Sequence, residues 1–200
     1  MLLTRRSVLL ATAAASLAPG LARAANAAWT SERALGKPDA KSVVQEYFSL
    51  TCTHCAHFSQ TTMSDVKAKL IDTGKVRYVF RDFPLDQVAL TAAQVARALP
   101  PERYEPFISA LFASQDRWAF ARGVNSTDEL WKVAALAGMS RETFEAAIND
   151  TDLRTFILQE QDEGTKKWKV DSTPSFVVNG KTEAGALDYA AFEKLVSSAA

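Results

Sequence analysis

Only two residues separate the two cysteines of this chain, Cys52 and Cys55 in the sequence Cys-Thr-His-Cys, and no other cysteine occurs in its 200 residues. A disulfide between them closes a ring too small to tie distant parts of a fold together, so it would stabilise the folded state little. Both histidines, His54 and His57, lie within five residues of Cys52. A Cys-x-x-Cys pair near a strand–helix–strand pattern is typical of a dithiol that cycles between thiol and disulfide. We therefore predict a redox active site in this segment.

Two other interpretations of this cluster are a metal site and a purely structural disulfide. Thiolates and imidazoles are suitable ligands for copper or zinc. However, four ligands packed into one and a half helical turns cannot surround a tetrahedral ion well, and the sequence has no second cluster of cysteine and histidine. A structural disulfide of this size would contribute little stability. We favour the redox enzyme and predict no metal and no cofactor.

Residues 1–24 have the pattern of a secretory signal peptide. Arg5 and Arg6 precede an apolar stretch over residues 8–18, and small residues precede the expected cleavage after Ala24 or Ala27. The apolar stretch is short for a membrane span, which disfavours a retained anchor. The paired arginines fit a twin-arginine (Tat) signal, but they also occur in ordinary Sec signals, so both routes stay open. Either route predicts a bacterial periplasmic protein, in a compartment where disulfides persist.

The charge of the mature chain excludes some classes of partner. Removing residues 1–24 leaves 20 basic and 23 acidic residues, a net charge of about −3. This balance gives no electrostatic reason to bind nucleic acid or an anionic membrane. The remaining length and the 48% apolar content allow one well-buried core. We expect one compact domain with an insertion.

The residues around the dithiol predict a βαβ unit. Residues 42–50 are rich in β-branched and aromatic residues and predict a central strand, and Cys52 follows it at once. Residues 56–71 have helical spacing of apolar side chains, and residues 75–83 alternate apolar and polar side chains as a second strand. The right-handed crossover places the dithiol at the carboxyl end of the first strand.

Residues 86–168 read almost entirely as helices, with no plausible strand. Pro100-Pro101 separates two helices, Ser126 with Glu129 forms a capping box, and residues 153–168 form a last long helix. The aromatic residues of this stretch are expected to form its core rather than a substrate groove: Phe107, Phe112, Trp118 and Trp131.

Strand patterns return near the C-terminus. Residues 173–178 predict a strand, and the Asn179-Gly180 pair that follows is a strong hairpin turn. Residues 181–184 then pair antiparallel with it, and residues 189–196 form a closing helix.

The arrangement resembles the DsbA-like thiol-disulfide oxidoreductases, which have a thioredoxin fold with an inserted helical domain. The resemblance is carried by FSLTCTHCAHF (residues 48–58), RDFPLD (residues 81–86) and STPSFVVNG (residues 172–180), and it extends from about Glu32 to the C-terminus. It implies an α/β fold in which residues 25–85 are the first thioredoxin-like part, residues 86–168 the helical insertion, and residues 169–200 the second part.

The chemistry of the dithiol follows from its position. Cys52 lies between a strand and a helix, where free N–H groups and the helix dipole favour a thiolate. We expect an exposed Cys52 to be the nucleophile, with a pKa several units below the free value of about 8.5, and a deeper Cys55 to resolve the mixed disulfide. The imidazole of His54 would further stabilise the thiolate, so replacing it should raise this pKa. A stabilised reduced form makes the disulfide a stronger oxidant, an effect for which DsbA enzymes are the known example.

The resemblance assigns three further positions. Pro174 matches a cis-proline that faces the dithiol, and Thr173 is the preceding residue, which tunes potential and partner choice. Glu46 matches a buried acid that assists proton transfer at the inner cysteine; the alternative is an exposed strand carboxylate. For His57 we expect a position on the helix surface.

The resemblance also implies partners and leaves one alternative function. It implies unfolded or reduced secreted proteins as clients and a membrane quinone-linked protein that reoxidises the enzyme. The dipeptide between the cysteines is Thr-His where the strongest oxidants have Pro-His, and Thr173 also suits isomerases and reductases of the same fold. Those are usually oligomers built on an extra N-terminal segment. Only about 15 residues precede the first predicted strand after cleavage, so we expect a monomer.

Overall fold

The computed structural model describes residues 27–198. Five strands form one mixed sheet, in the order β1-β3-β2-β4-β5. Their bounds are β1 Arg33–Leu35, β2 Ser42–Phe48, β3 Val76–Asp82, β4 Ser175–Val178 and β5 Lys181–Ala184. The predicted signal peptide, residues 1–24, lies outside the described residues.

The central strand β2 connects the two halves of the chain. It pairs in parallel with β3, with Glu46 opposite Phe80, and antiparallel with β4, with Tyr47 opposite Ser175. Because β2 and β4 run in opposite directions, the carboxyl end of β2 lies beside the start of β4. This register brings the segment after β2 next to the segment before β4, although they are far apart in the sequence.

The helices on the first half are shorter than the sequence predicts. Helix α1 covers Thr53–Thr61, α2 covers Met63–Val66, and a π-helical turn continues over Lys67–Ile71. The predicted helix over residues 56–71 therefore begins earlier and is interrupted at Thr62. The Thr62 hydroxyl donates to the carbonyl of Leu187 at 3.0 Å, which ties the interruption to the C-terminal part of the fold.

All elements between residues 86 and 168 are helices, as predicted. They are α3 Gln87–Arg97, α4 Pro101–Ala113, α5 Gln115–Trp118, α6 Ser126–Leu136, α7 Arg141–Asn149 and α8 Thr151–Trp168. The predicted capping box at Ser126 is wrong, because Asn125 is the N-cap of α6. Its Oδ1 accepts from the N–H groups of Thr127 and Asp128 at 2.9 and 3.3 Å. Asparagine caps a helix as well as serine does, so the helix starts one residue earlier than expected.

A buried ion-pair network joins the insertion to the sheet. Arg97 on α3 is fully buried and pairs with Asp82 at the end of β3 and with Glu160 on α8. Arg81 adds a second contact to Glu160 at 2.9 Å. A buried guanidinium needs such partners, since an unpaired buried charge is strongly destabilising. The network fixes α3 and α8 against the strand that follows the dithiol helix.

The core is rich in aromatic side chains. Phe58 on α1 packs against Phe176 on β4 with ring centroids 4.8 Å apart, and both contact Phe192 on the closing helix α9, Tyr189–Ser198. In the insertion, Phe107, Phe112 and Trp118 are buried, and Trp131 is half-buried against the ring of Phe144. The expected role of these aromatic residues as core is confirmed.

Two packing features were not predicted. The short strand β1 pairs antiparallel with β3, and its three residues are too few for a readable period. Gly164 of α8 lies against the ring of Tyr47 on β2, and a Cβ atom at this position would lie 2.6 Å from a ring carbon. Only glycine allows this close approach between helix and sheet.

No helix within residues 27–198 has both the length and the apolar character needed to cross a bilayer.

Candidate active site

Cys52 is the N-cap residue of the helix that carries the site. Its backbone is extended, with φ −86° and ψ 120°, and its N–H donates to the carbonyl of Ser49 at 3.0 Å. The Sγ atom of Cys52 accepts the backbone N–H of Cys55 at 3.3 Å. No disulfide joins the two cysteines, so the site is in its reduced form. The N-cap position directs the free amides of the first helical turn toward the sulfur.

The Thr173-Pro174 peptide bond faces the dithiol. It is cis, and the Sγ atom of Cys52 lies 3.2 Å from the carbonyl oxygen of Thr173, to which the thiol donates. The two residues are 121 positions apart in the sequence. The predicted cis bond and its position beside Cys52 are confirmed, and the position follows from the antiparallel register of β2 and β4.

The two thiols differ in exposure. Cys55 is completely buried, as expected for the inner cysteine. Cys52 is only 7% exposed, so the expectation of an exposed sulfur is wrong. The Thr173 carbonyl on one side and the first turn of α1 on the other account for this burial. Cys52 is nevertheless the more accessible of the two.

The environment separates the pKa values of the two cysteines. The pKa of Cys52 is lowered to about 5, mainly because the Cys55 thiol donates a hydrogen bond to its sulfur. The backbone N–H groups of Cys55 and His54 act in the same direction, whereas burial opposes them. The pKa of Cys55 is raised well above its ordinary value by burial and by the negative charge of Cys52. At neutral pH the outer sulfur is therefore a thiolate and the inner one a thiol.

Glu46 is the third ionisable group of the site. It is 5% exposed on β2, and the hydroxyl of Tyr78 donates to its Oε2 at 2.8 Å. Burial raises the pKa of Glu46 to about 7, the hydrogen bond from Tyr78 lowers it, and the charge of Cys52 raises it further. The alternative of an exposed strand carboxylate is excluded. A carboxyl group with this pKa exchanges protons readily near neutral pH.

The histidines contribute less than the sequence suggests. The imidazole of His54 is exposed, and none of the hydrogen bonds found within residues 27–198 joins it to Cys52. It is the backbone N–H of His54 that stabilises the thiolate. A role for the imidazole stays a prediction. His57 is exposed on α1, at the helix surface as expected. Among the described residues, no group of three or more His, Cys, Asp or Glu side chains is arranged to hold a metal ion.

Sequence reasoning missed two contacts of the site. Gln115 on α5 donates from its side-chain amide to the carbonyls of Leu50 and Cys52. Tyr78 hydrogen-bonds Glu46. The alternation of β3 predicts that Tyr78 and Phe80 share one face of the sheet, but only the register of the structure, with Phe80 opposite Glu46, brings Tyr78 to the carboxyl group. For Gln115 no local signal exists, because the contact depends on how the insertion packs on the sheet.

Comparison with known proteins agrees with this geometry. The family model described as thioredoxin matches residues 29–198. The crystal structure of alpha-DsbA1 from Wolbachia pipientis is 30% identical, aligns with 84% of this chain and 90% of its own, and superposes with a TM-score of 0.77. The chain belongs to the DsbA-like thioredoxin family. The fold class predicted from the sequence, a thioredoxin-like fold with a helical insertion, is confirmed.

Two further relatives define how far the likeness extends. A protein of Rickettsia prowazekii, named as a protein-disulfide oxidoreductase, is 33% identical over 156 residues, which are 77% of this chain. The aligned region is 57% of that protein, so the chain spans little more than half the length of this relative. A structure titled as a protein-disulfide isomerase, from Novosphingobium aromaticivorans, is 26% identical with a TM-score of 0.73, over 84% of this chain and 96% of its own.

Proposed function

We propose that this protein is a periplasmic thiol-disulfide oxidoreductase that introduces disulfide bonds into reduced secreted proteins through Cys52 and Cys55. One observation carries the proposal: the reduced site holds a stabilised thiolate at Cys52 beside a thiol at Cys55. Whatever stabilises the reduced form makes the disulfide easier to reduce and hence a stronger oxidant. Membership of the DsbA-like family supports the same reaction class.

The reaction begins from the Cys52–Cys55 disulfide. A client thiolate attacks the sulfur of Cys52, a client–Cys52 bond forms, and Cys55 leaves with the electron pair. The second client thiolate then attacks the client sulfur of this mixed disulfide. The client disulfide forms and Cys52 leaves as a thiolate. Two electrons pass from the client to the enzyme, and the low pKa of Cys52 makes it a good leaving group in the second step.

The departing Cys55 needs a proton, and we propose Glu46 as the group that donates it. Cys55 is buried, and its thiolate is disfavoured there, so protonation must accompany release. The charge of Glu46 contributes to the raised pKa of Cys55, which indicates that the two groups are electrostatically coupled. With a pKa of about 7, Glu46 is protonated often enough to donate and is regenerated readily.

The segment before Pro174 completes the proposed client site. The Thr173 carbonyl lies 3.2 Å from the sulfur that would form the mixed disulfide. An extended client chain passing here would pair with this backbone while its cysteine meets Cys52. We further propose export by a Tat or Sec signal, a monomeric enzyme, and reoxidation by a membrane quinone-linked partner, on the basis of the signal-like residues 1–24 and the family likeness.

A disulfide isomerase or reductase is the second candidate. Threonine at position 173 suits such enzymes, and a relative titled as a protein-disulfide isomerase shares the fold over 84% of this chain. An isomerase works with Cys52 mostly reduced and benefits from two sites that face a shared cleft. The stabilised thiolate argues against a reductase, because a reductant needs a stable disulfide form. The proposed monomer argues against an isomerase.

Refolding assays distinguish the two functions. The purified oxidised protein is mixed with a reduced multi-disulfide substrate and, separately, with the same substrate carrying scrambled disulfides. We expect rapid oxidation of the reduced substrate, little rescue of the scrambled one, and no activity in a Cys52→Ala variant. Efficient rescue of the scrambled substrate with slow oxidation of the reduced one would replace the oxidase with the isomerase.

A further inference from the structure

A glutamine of the helical insertion reaches the active-site turn. Gln115 is the first residue of α5 and is 4% exposed. Its Nε2 amide donates to the carbonyl of Leu50 at 2.8 Å and to the carbonyl of Cys52 at 3.1 Å. The two carbonyls lie on either side of Thr51, in the turn that ends β2 and begins α1. Both hydrogens of one NH₂ group are therefore used to hold this turn.

The turn determines where the first amides of α1 point. The Cys52 carbonyl also accepts the N–H of Ala56 at 3.1 Å, the first hydrogen bond of the helix, and the Cys52 N–H donates to Ser49. Hydrogen bonds therefore hold the peptide groups on both sides of Cys52, and this fixes the orientation of the N-cap residue. The N–H groups of His54 and Cys55 follow directly, and these are the backbone donors that stabilise the Cys52 sulfur.

The amide also has a direct electrostatic effect on the site. The carbonyl oxygens of Leu50 and Cys52 carry partial negative charge close to a group that becomes an anion. The hydrogen bonds from Gln115 place the partially positive amide hydrogens next to these oxygens, and these hydrogens offset the repulsion of the thiolate. Inside the protein this effect is larger than in water, because the local dielectric constant is low.

We propose that Gln115 is a positioning residue for the nucleophile: by holding the turn at Leu50 and Cys52 it stabilises the Cys52 thiolate and so tunes the oxidising strength of the disulfide. The insertion thereby contributes to the chemistry of the thioredoxin-like part through one side chain. This rests on the proposed function in taking Cys52 as the nucleophile, and it holds for either direction of thiol-disulfide exchange.

The chain offers a matched control for this residue. Gln94 on α3 is 2% exposed, and its Nε2 also donates to two carbonyls, those of Ala147 at 2.9 Å and Asp150 at 3.1 Å. Its contacts lie wholly within the helical insertion. Gln115→Met and Gln94→Met thus remove the same kind of buried double hydrogen bond, but only the first removes it from the active-site turn.

The deciding measurements are the ultraviolet titration of the Cys52 thiolate and the equilibrium with glutathione. We expect Gln115→Met to raise the midpoint by about half to one pKa unit and to shift the equilibrium about 3- to 10-fold toward the protein disulfide, the range for one lost hydrogen bond. Gln94→Met should leave both unchanged while lowering stability to a similar extent. Equal shifts in the two variants, or none, would overturn the proposal.

A second measurement needs no substitution and covers the case in which Gln115→Met fails to fold. In the reduced wild-type protein, the side-chain amide resonances of Gln115 should move with the midpoint of the Cys52 titration, and those of Gln94 should not. Insensitive Gln115 resonances contradict the proposal. Client oxidation by the wild type is scored separately, so a failed oxidase assay with an intact Gln115 effect refutes only the proposed direction of exchange.

Discussion

The Cys52 thiolate should stabilise the reduced protein in a way that depends on pH. The pKa of Cys52 is about 5 in the folded protein against an ordinary value of 9.0. A depressed pKa means that the unfolded chain binds the proton more tightly, so the contribution is absent below about pH 5 and grows as the pH rises toward 9. At pH 7, two units above the folded pKa, it amounts to about 2.7 kcal/mol.

Cys52→Ala removes this contribution and isolates it. The substitution also deletes packing around a buried side chain, but that loss does not change with pH. The contribution of Glu46 to stability depends on pH in the opposite direction. Its raised pKa stabilises the folded protein at pH values below the pKa of Glu46 in the unfolded chain, and this contribution is lost as the pH rises through about 7. Because Glu46 is present in both proteins, most of its effect cancels in the difference. Only its coupling to the Cys52 charge remains, and this slightly reduces the expected slope.

The assay is urea unfolding under excess reductant, followed by tryptophan fluorescence between pH 4 and pH 8. The difference in unfolding free energy between the wild type and Cys52→Ala should increase by about 3 kcal/mol from pH 4 to pH 7. The same free energy raises the reduction potential of the disulfide by about 60 mV at pH 7, relative to a dithiol whose outer cysteine has the ordinary pKa. The potential is measured by equilibration with glutathione. A difference that stays flat or shrinks with rising pH would refute the reasoning.

Three further substitutions test the site and its support. Glu46→Gln should slow oxidation of a reduced client about 10-fold or more at pH 7 and remove the pH dependence near 7, as measured by stopped-flow fluorescence; an unchanged rate contradicts the proton-donor role. Arg97→Met leaves the buried Asp82 without an ion-pair partner and Glu160 with Arg81 alone, and it should lower the unfolding free energy by about 3–5 kcal/mol in urea. Gly164→Ala gains about 1 kcal/mol of helix propensity but clashes with Tyr47, for a net loss of about 1–3 kcal/mol; an unchanged or higher Tm would refute the clash.

The parts of the fold that the sequence predicts correctly are those fixed by local pattern. The strands over residues 42–50 and 75–83 were found within two residues of their ends, because both alternate or concentrate apolar residues over a full strand length. The hairpin between β4 and β5 was found because its two turn residues, Asn179 and Gly180, have positive φ angles, which these residue types tolerate best. The dithiol could be predicted without any knowledge of the fold, since its residue types and their spacing define it.

The parts that were missed depend on contacts between segments distant in the sequence. The burial of Cys52 comes from Thr173, which lies 121 residues away, and the anchor of its turn comes from Gln115 in the insertion. The cap of α6 was misplaced because Asn125 and Ser126 are equally good N-caps, and only the path of the incoming chain decides between them. Residue type alone cannot resolve such choices.

The two cysteines of the site differ in their pKa values and therefore in their expected roles. Cys52 and Cys55 are three residues apart, yet one side chain meets amides at a helix N-terminus while the other is buried in the core, so their pKa values move in opposite directions. Groups whose environments separate their pKa values in this way take different roles in a reaction. The anion of low pKa leaves from the client easily, and the thiol of high pKa keeps its proton once released. Together they favour the reduced form of the dithiol, which is what the proposed oxidase requires.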